Sequence, residues 1–109
     1  MSNKNYIQEV YEVARMIPYG RVTTYGTIAT FIGLGSSRMV GWALNKSFTE
    51  AEVPAHRVVN RKGELSGRAH FNPPSLMQTL LEAEGIVVKD DKIVDFDHCF
   101  WSPYEEEEK

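Results

Sequence analysis

The chain has 109 residues, with 12 Lys and Arg against 15 Asp and Glu and a formal net charge of −3. That length supports one domain around one core, and 42% apolar with 25% charged residues is ordinary for a globular fold, which excludes disordered and collagen-like classes. One cysteine, Cys99, excludes an intrachain disulfide framework.

The charge is uneven. Nine Lys and Arg face five Asp and Glu through residue 81, and three face ten from residue 82 onward. A mildly basic body permits an anionic partner such as nucleic acid without demanding one. No apolar run is long enough for a membrane span, and no basic-then-apolar leader opens the chain, so the expectation is a cytoplasmic protein without membrane contact.

Tyr6, Ile7, Val10, Tyr11, Ala14 and Ile17 recur at helical spacing and predict a first helix over about residues 4–17, stopped by Pro18-Tyr19-Gly20. Arg21-Val22 reads as a short extended link. Thr24 is a plausible N-cap for a second helix whose apolar stripe is Tyr25, Ile28, Ala29 and Ile32. Gly33-Leu34-Gly35 breaks it. Ser36 or Ser37 then caps a third helix running to about Ser47. Two short helices across a glycine-containing turn form a helix-turn-helix pattern.

The third helix has two faces. Val40, Ala43 and Leu44 point toward a core, while Arg38, Gly41, Trp42 and Asn45 share another side. A cation, a small residue, an aromatic and an amide suit a nucleic-acid surface. The more ordinary arrangement has Trp42 covering the core and Arg38 solvated.

Residues 48–55 read as a connecting loop, and Val58-Val59 as the start of a buried strand. Asn60-Arg61-Lys62-Gly63 is a turn and Glu64–His70 a polar loop. Together with Arg57, this is the most basic part of the chain. Ser75 and Gln78 have capping-box spacing for a fourth helix that carries Leu76, Met77, Leu80, Leu81 and Glu84 on one side and stops at Gly85. Ile86-Val87-Val88 and Lys92-Ile93-Val94 flank a turn and predict a small hairpin. Phe96, Phe100, Trp101 and Tyr104 form an aromatic end expected to pack back. Residues 105–109 read as a solvated acidic tail after a domain spanning 1–104. The fold class is mainly α with a small β hairpin.

Chemistry concentrates in Val53-Pro54-Ala55-His56-Arg57. His56 can serve as a general base and Glu84 can orient it, two parts of a nucleophile–base–orienter set. The third part is missing, because Ala55 has no nucleophilic atom. Cys99 lies in an aromatic segment and reads as a packed hydrophobe. No Cys, His and carboxylate cluster has metal-ligand spacing, and no phosphate-binding glycine loop appears, so no metal or cofactor is expected.

Three motifs in order, Arg21-Val22-Thr23-Thr24-Tyr25-Gly26, Ser37-Arg38-Met39-Val40-Gly41 and Val53-Pro54-Ala55-His56-Arg57-Val58-Val59, resemble the C-terminal domain of O6-alkylguanine-DNA alkyltransferases. That family carries a Pro-Cys-His-Arg segment whose cysteine accepts the alkyl group. With Ala55 at that position the chain is more similar to the alkyltransferase-like branch.

The resemblance implies a winged-helix-like domain that binds double-stranded DNA through the minor groove. It would flip an O6-alkylguanine into a pocket and signal to nucleotide excision repair proteins, acting as a monomer and not as an enzyme. It implies DNA contact by Thr24, Tyr25, Ser37, Arg38, Gly41, Trp42 and Asn45, with Arg38 as the finger that fills the vacated space. Tyr25, Pro54, Ala55, His56, Arg57 and Arg68 would form the lesion pocket, Arg68 reaching the alkylated base edge. Ala55, His56 and Glu84 would be vestiges of the transferase site.

Relative to the family, Ala55 stands where tryptophan is frequent in the alkyltransferase-like branch. Ser47 stands at the hinge usually held by asparagine. Trp42 replaces a commonly small residue and, placed along a groove wall, would touch sugar. Two other readings compete: a sequence-specific helix-turn-helix regulator, and a hydrolytic enzyme in which His56 and Glu84 activate water.

Overall fold

The computed structural model describes residues 5–49 and 52–107. Helix α1 (Tyr6–Met16) begins where the Asn5 side chain accepts from the Gln8 amide. It buries Val10, Tyr11, Val13 and Ala14 along one stripe. After Pro18-Tyr19-Gly20 the chain extends into β1 (Thr23–Thr24), and Thr24 caps α2 (Tyr25–Ile32) by accepting from the Thr27 amide at 3.0 Å. Gly33 closes α2 in the left-handed conformation at φ 80, a geometry that glycine adopts without steric cost. Ser36 then caps α3 (Ser37–Asn45) through the Arg38 amide.

These three helices form the first half of the core. Val40, Ala43 and Leu44 of α3 pack against α1 and α2, and the Tyr11 hydroxyl donates to the Ala43 carbonyl at 3.0 Å. A 3-10 turn over Ser47–Thr49 follows α3, so the helix ends two residues before the expected Ser47. The Ser47 hydroxyl, buried, donates to the Leu44 carbonyl at 2.6 Å.

A second 3-10 turn, Ala55–Arg57, leads into β2 (Val58–Val59). Strand β2 runs parallel to β1 with Thr23 opposite Val58 and Thr24 opposite Val59. Val58-Val59 is the expected buried strand, but its pairing with β1 was not legible beforehand, since two residues carry no periodicity and Thr24 reads as a helix cap.

The second half of the core gathers Val59, Leu65, Met77, Leu81, Ile86 and Ile93. Helix α4 (Leu76–Ala83) supplies Met77 and Leu81, and Gly85 at φ 87 ends it as expected. The capping box is absent. Ser75 has helical backbone angles (φ −66, ψ −12) and makes no side-chain cap, while Gln78 donates to Glu82. An N-cap oxygen reaches the amides from extended backbone, which Ser75 does not have.

The hairpin is present as β3 (Val88–Lys89) and β4 (Lys92–Ile93), turned by Asp90 and Asp91 at φ 54 and 60. It docks on the basic turn. The Ile93 amide donates to the Gly63 carbonyl and the Leu65 amide to the Asp91 carbonyl. Gly63, at φ 79, also lies where a Cβ would meet the Phe96 ring at 3.0 Å.

Helices α5 (Phe96–Cys99) and α6 (Tyr104–Glu107) complete the chain. The aromatic end does pack back: Trp101 is 1% exposed within the first core cluster. Glu105 and Glu106 differ from the expected solvated tail. A buried indole N–H needs an acceptor, and Glu106 provides it at 3.2 Å. Glu105 accepts from the Ser102 amide and lies 3.5 Å from Arg21. Glu108 and Lys109 are outside the described residues. No helix among the described residues is long and apolar enough to cross a membrane.

One buried polar atom stands out. The Thr23 hydroxyl is fully buried in the β1–β2 ladder and has no hydrogen-bond partner among the described residues. A buried unsatisfied hydroxyl costs roughly 1–3 kcal/mol. Replacing Thr23 with Val keeps the shape and removes the penalty. Urea or thermal unfolding of Thr23→Val should therefore show a gain of about 1 kcal/mol, or roughly 4 °C in Tm.

Candidate nucleic-acid interface

The Pro54–Arg57 segment is held by one carboxylate. Glu84 follows Met77 and Leu81 on the buried stripe of α4, so its side chain is carried under the 3-10 turn and is 6% exposed. It accepts from His56 Nε2 at 2.6 Å, from Arg57 Nε at 3.0 Å and from the Gly20 amide at 2.7 Å. Arg57 also donates to the Ile17 carbonyl at 2.8 Å and lies 5.8 Å from the Tyr19 ring centre. The Tyr19 hydroxyl donates to the Ala83 carbonyl. The end of α1, the 3-10 turn and the end of α4 are thereby tied at a single acid.

Electrostatics follow from this wiring. Burial alone would raise the Glu84 pKa, but hydrogen bonds from Arg57, the Gly20 amide and His56 outweigh it and leave the carboxyl below its ordinary value. Burial lowers the His56 pKa, and the charge of Arg57 adds to that. The Glu84 hydrogen bond and charge oppose it without cancelling it. His56 is therefore a neutral imidazole at pH 7, with Nε2–H donated to Glu84.

Six of the residues read from the sequence share one cleft of about 360 Å³. Tyr25 and the α3 residues Ser37, Arg38, Gly41, Trp42 and Asn45 line one side. Ser66, Gly67 and His70, which sequence reading passed over as a polar loop, line the rest. Trp42 is 53% exposed, so it does not cover the core. Val40, Ala43 and Leu44 do that without it.

Tyr25 is fixed in the seam between the two walls. A Cβ at Gly67 would sit 2.6 Å from the Tyr25 hydroxyl, and one at Gly41 would sit 4.0 Å from the ring. A side chain at 67 would force the Tyr25 hydroxyl to shift, and the Ser66-Gly67 pair could have marked this turn from sequence. Burial raises the Tyr25 pKa, partly offset by a hydrogen bond with Ser66, so the phenol stays neutral.

The residues expected to form one lesion pocket are divided in this structure. Tyr25 faces the cleft along α3. Ala55 and His56 line a separate cavity of about 230 Å³ with Ser47, Phe48, Val53, Phe71, Leu76 and Leu80. Phe48 and Phe71 meet edge to face at 5.0 Å on its rim, and neither was singled out from sequence. Pro54 and Arg57 line a third depression with Arg15, Glu52, Val53 and His56. Arg68 lines none of these. It is half-exposed and lies 3.4 Å from Asp91 of the hairpin turn. Thr24 lines a further cleft with Thr27, Arg61, Phe96, Asp97 and Phe100.

Cys99 supplies no nucleophile here. Its thiol is buried in the second core cluster, and burial raises its pKa, with Asp95 adding to the rise and Arg21 opposing it. Among the described residues, no group of three or more His, Cys, Asp or Glu could hold a metal ion.

Residues 5–86 match the family described as 6-O-methylguanine DNA methyltransferase, DNA binding domain. The chain belongs to this family. Alkyltransferase-like protein 1 of Schizosaccharomyces pombe is 37% identical over 89 residues, covering 81% of this chain and 82% of that protein. The DNA base-flipping protein of Escherichia coli is 35% identical over 102 residues, covering 90% of this chain and 75% of the relative. The crystal structure of S. pombe Atl1 in complex with damaged DNA containing O6-carboxymethylguanine superposes with a TM-score of 0.83 at 31% identity, covering 94% of this chain and all of that one. The helix-turn-helix expected from the sequence is α2–α3.

The Glu84 network sets the response to acid. Both depressed pKa values mean that the unfolded chain binds more protons than the native one as pH falls. Stability is fully present above about pH 6.5, the ordinary histidine value, and is lost on acidification, first through His56 and then through Glu84. Urea unfolding at pH 7.5 and 5.5 should show the loss, and His56→Gln should flatten it. Glu84→Gln should cost about 3 kcal/mol at pH 7.5, because the buried Arg57 charge loses its partner.

Proposed function

We propose that this protein recognises O6-alkylguanine in double-stranded DNA, turns the damaged base out of the stack and holds it without removing the alkyl group. The bound complex then marks the site for nucleotide excision repair. The observation that carries this reading is the pairing of a nucleophile-free Ala55 with an open cleft along α3. His56 and Glu84 stand at 2.6 Å, yet the position beside them offers only a methyl group. Relatives named for base flipping and a solved neighbour bound to O6-carboxymethylguanine DNA support the same reading.

The roles follow from chemistry. Turning a base out costs a few kcal/mol, less where alkylation has already weakened pairing. Arg38, at the start of α3 on the cleft, has the length and charge to enter the vacated space and offset part of that cost. Ser37, Gly41 and Asn45 allow close approach of the helix and position it on the backbone. Tyr25 lines the groove-facing cleft and presents its hydroxyl beside Ser66 and Gly67. The Ala55 cavity, walled by Phe48, Phe71, Leu76 and Leu80, is apolar on most sides and suits an alkyl substituent. For Arg68 to reach a base edge it must leave Asp91, and an exposed ion pair of that kind is worth at most about 1 kcal/mol.

His56 in this reading supports structure. Its Nε2–H is committed to Glu84, and no side-chain nucleophile stands beside it to be deprotonated.

The decisive experiment uses matched duplexes with and without O6-methylguanine, the methyl group labelled. Expected are tighter binding to the modified duplex in any sequence context and all label remaining on DNA. Label released to solution would instead support water activation by His56, and label on the protein would support transfer. Preference for an unmodified sequence would support a regulator. Arg38→Ala should weaken binding to the modified duplex at least tenfold while leaving the unfolding midpoint within experimental error, since its side chain lines the cleft and not the core.

A further inference from the structure

Trp42 is more than half exposed, on the α3 face that lines the cleft, one turn beyond Arg38. Its helix buries Val40, Ala43 and Leu44 without it. Among the described residues the aromatic pairs are Phe31 with Tyr104, Phe48 with Phe71, and Phe96 with Phe100, and none includes Trp42. The fold therefore makes little use of its largest exposed apolar surface on this helix. The cleft around it holds a guanidinium, an imidazole, an amide and hydroxyls, and among the described residues no carboxylate lines it. A cleft of that make-up fits the sugar and phosphate surface of nucleic acid.

Resting on the DNA-binding reading above, we propose that Trp42 is a lesion-independent affinity residue whose indole packs on deoxyribose along the groove wall. Four residues of helix place it about 6 Å along α3 from Arg38. The indole therefore lies on the same cleft wall as Arg38, one helical turn away from it. Deoxyribose is the same in every nucleotide, so the contact adds affinity for modified and unmodified DNA alike. It neutralises no phosphate, so it releases no counterion and adds nothing to the salt dependence.

The test exploits the tryptophan count. The chain has two, and Trp101 is buried with its N–H on Glu106. A DNA-dependent shift of tryptophan emission to shorter wavelength therefore reports Trp42 leaving water. Wild type, Trp42→Ala and Trp42→Phe are titrated with labelled matched duplexes, with and without O6-methylguanine, at two salt concentrations. Circular dichroism and urea unfolding check each fold.

Both duplexes should shift the wild-type emission. Trp42→Ala should weaken binding to both by about 5- to 50-fold, the effect of losing part of a buried aromatic surface. The ratio between duplexes and the salt slope should stay unchanged, and Trp42→Phe should recover most of the affinity. Wild-type binding without an emission shift overturns the proposal. So does unchanged affinity in Trp42→Ala, or a loss confined to the modified duplex. A wild-type protein that binds neither duplex defeats the damage-recognition reading itself, and this inference with it.

Discussion

The Glu84 carboxylate is the constraint on which the rest depends. It is nearly buried, and a buried charge is tolerated only when its hydrogen-bonding capacity is filled. Here three donors come from two separate segments, the Gly20 amide after α1 and the His56 and Arg57 side chains of the 3-10 turn, all meeting a residue at the end of α4. The two core clusters share Ala55 at their boundary. Glu84 fastens that boundary from one side. The parallel β1–β2 pair fastens it from the other, by seating Val58 in the first cluster and Val59 in the second.

This wiring explains why a His–Glu pair persists where no nucleophile does. A neutral His56 donates Nε2–H to Glu84, while Arg57 supplies the positive charge that keeps the carboxylate ionised. Without His56, one lone pair of a buried acid would be stripped of its donor. The pair therefore has a structural reason to exist, and its geometry alone is no argument for catalysis.

Much of the helical architecture was legible in the sequence because its signals are local. Thr24, Ser36 and Gly33 cap helices through their own neighbours, and Val40, Ala43 and Leu44 announce a buried face by spacing. The side of α3 that carries Arg38, Gly41, Trp42 and Asn45 was legible for the same reason. What escaped depends on distant partners. The β1–β2 pair joins residues too few to show a period. Gly67 matters only because the Tyr25 hydroxyl arrives there from α2. Phe48 and Phe71 find each other across a loop. Ser75 failed as a cap because its backbone is already helical, which composition does not reveal. Glu105 and Glu106 looked like tail until the buried Trp101 and the nearby Arg21 gave them something to bind.

The division among Tyr25, Ala55 and Arg68 carries the same lesson into the site. A resemblance placed them in one pocket, whereas the structure sets them in the α3 cleft, an apolar cavity and an exposed ion pair respectively. These positions differ in how firmly they are held. Tyr25 packs against the first core cluster with Gly67 close to its hydroxyl, and Ala55 lies at the junction of two packed clusters fixed by Glu84. Among the described residues, the Arg68 side chain is held by a solvent-exposed contact to Asp91. If a turned-out base is to meet all three, Arg68 is the member that can move cheaply. On the proposed function, the packed residues then set where the base goes, and Arg68 gives up one weak exposed ion pair to meet it.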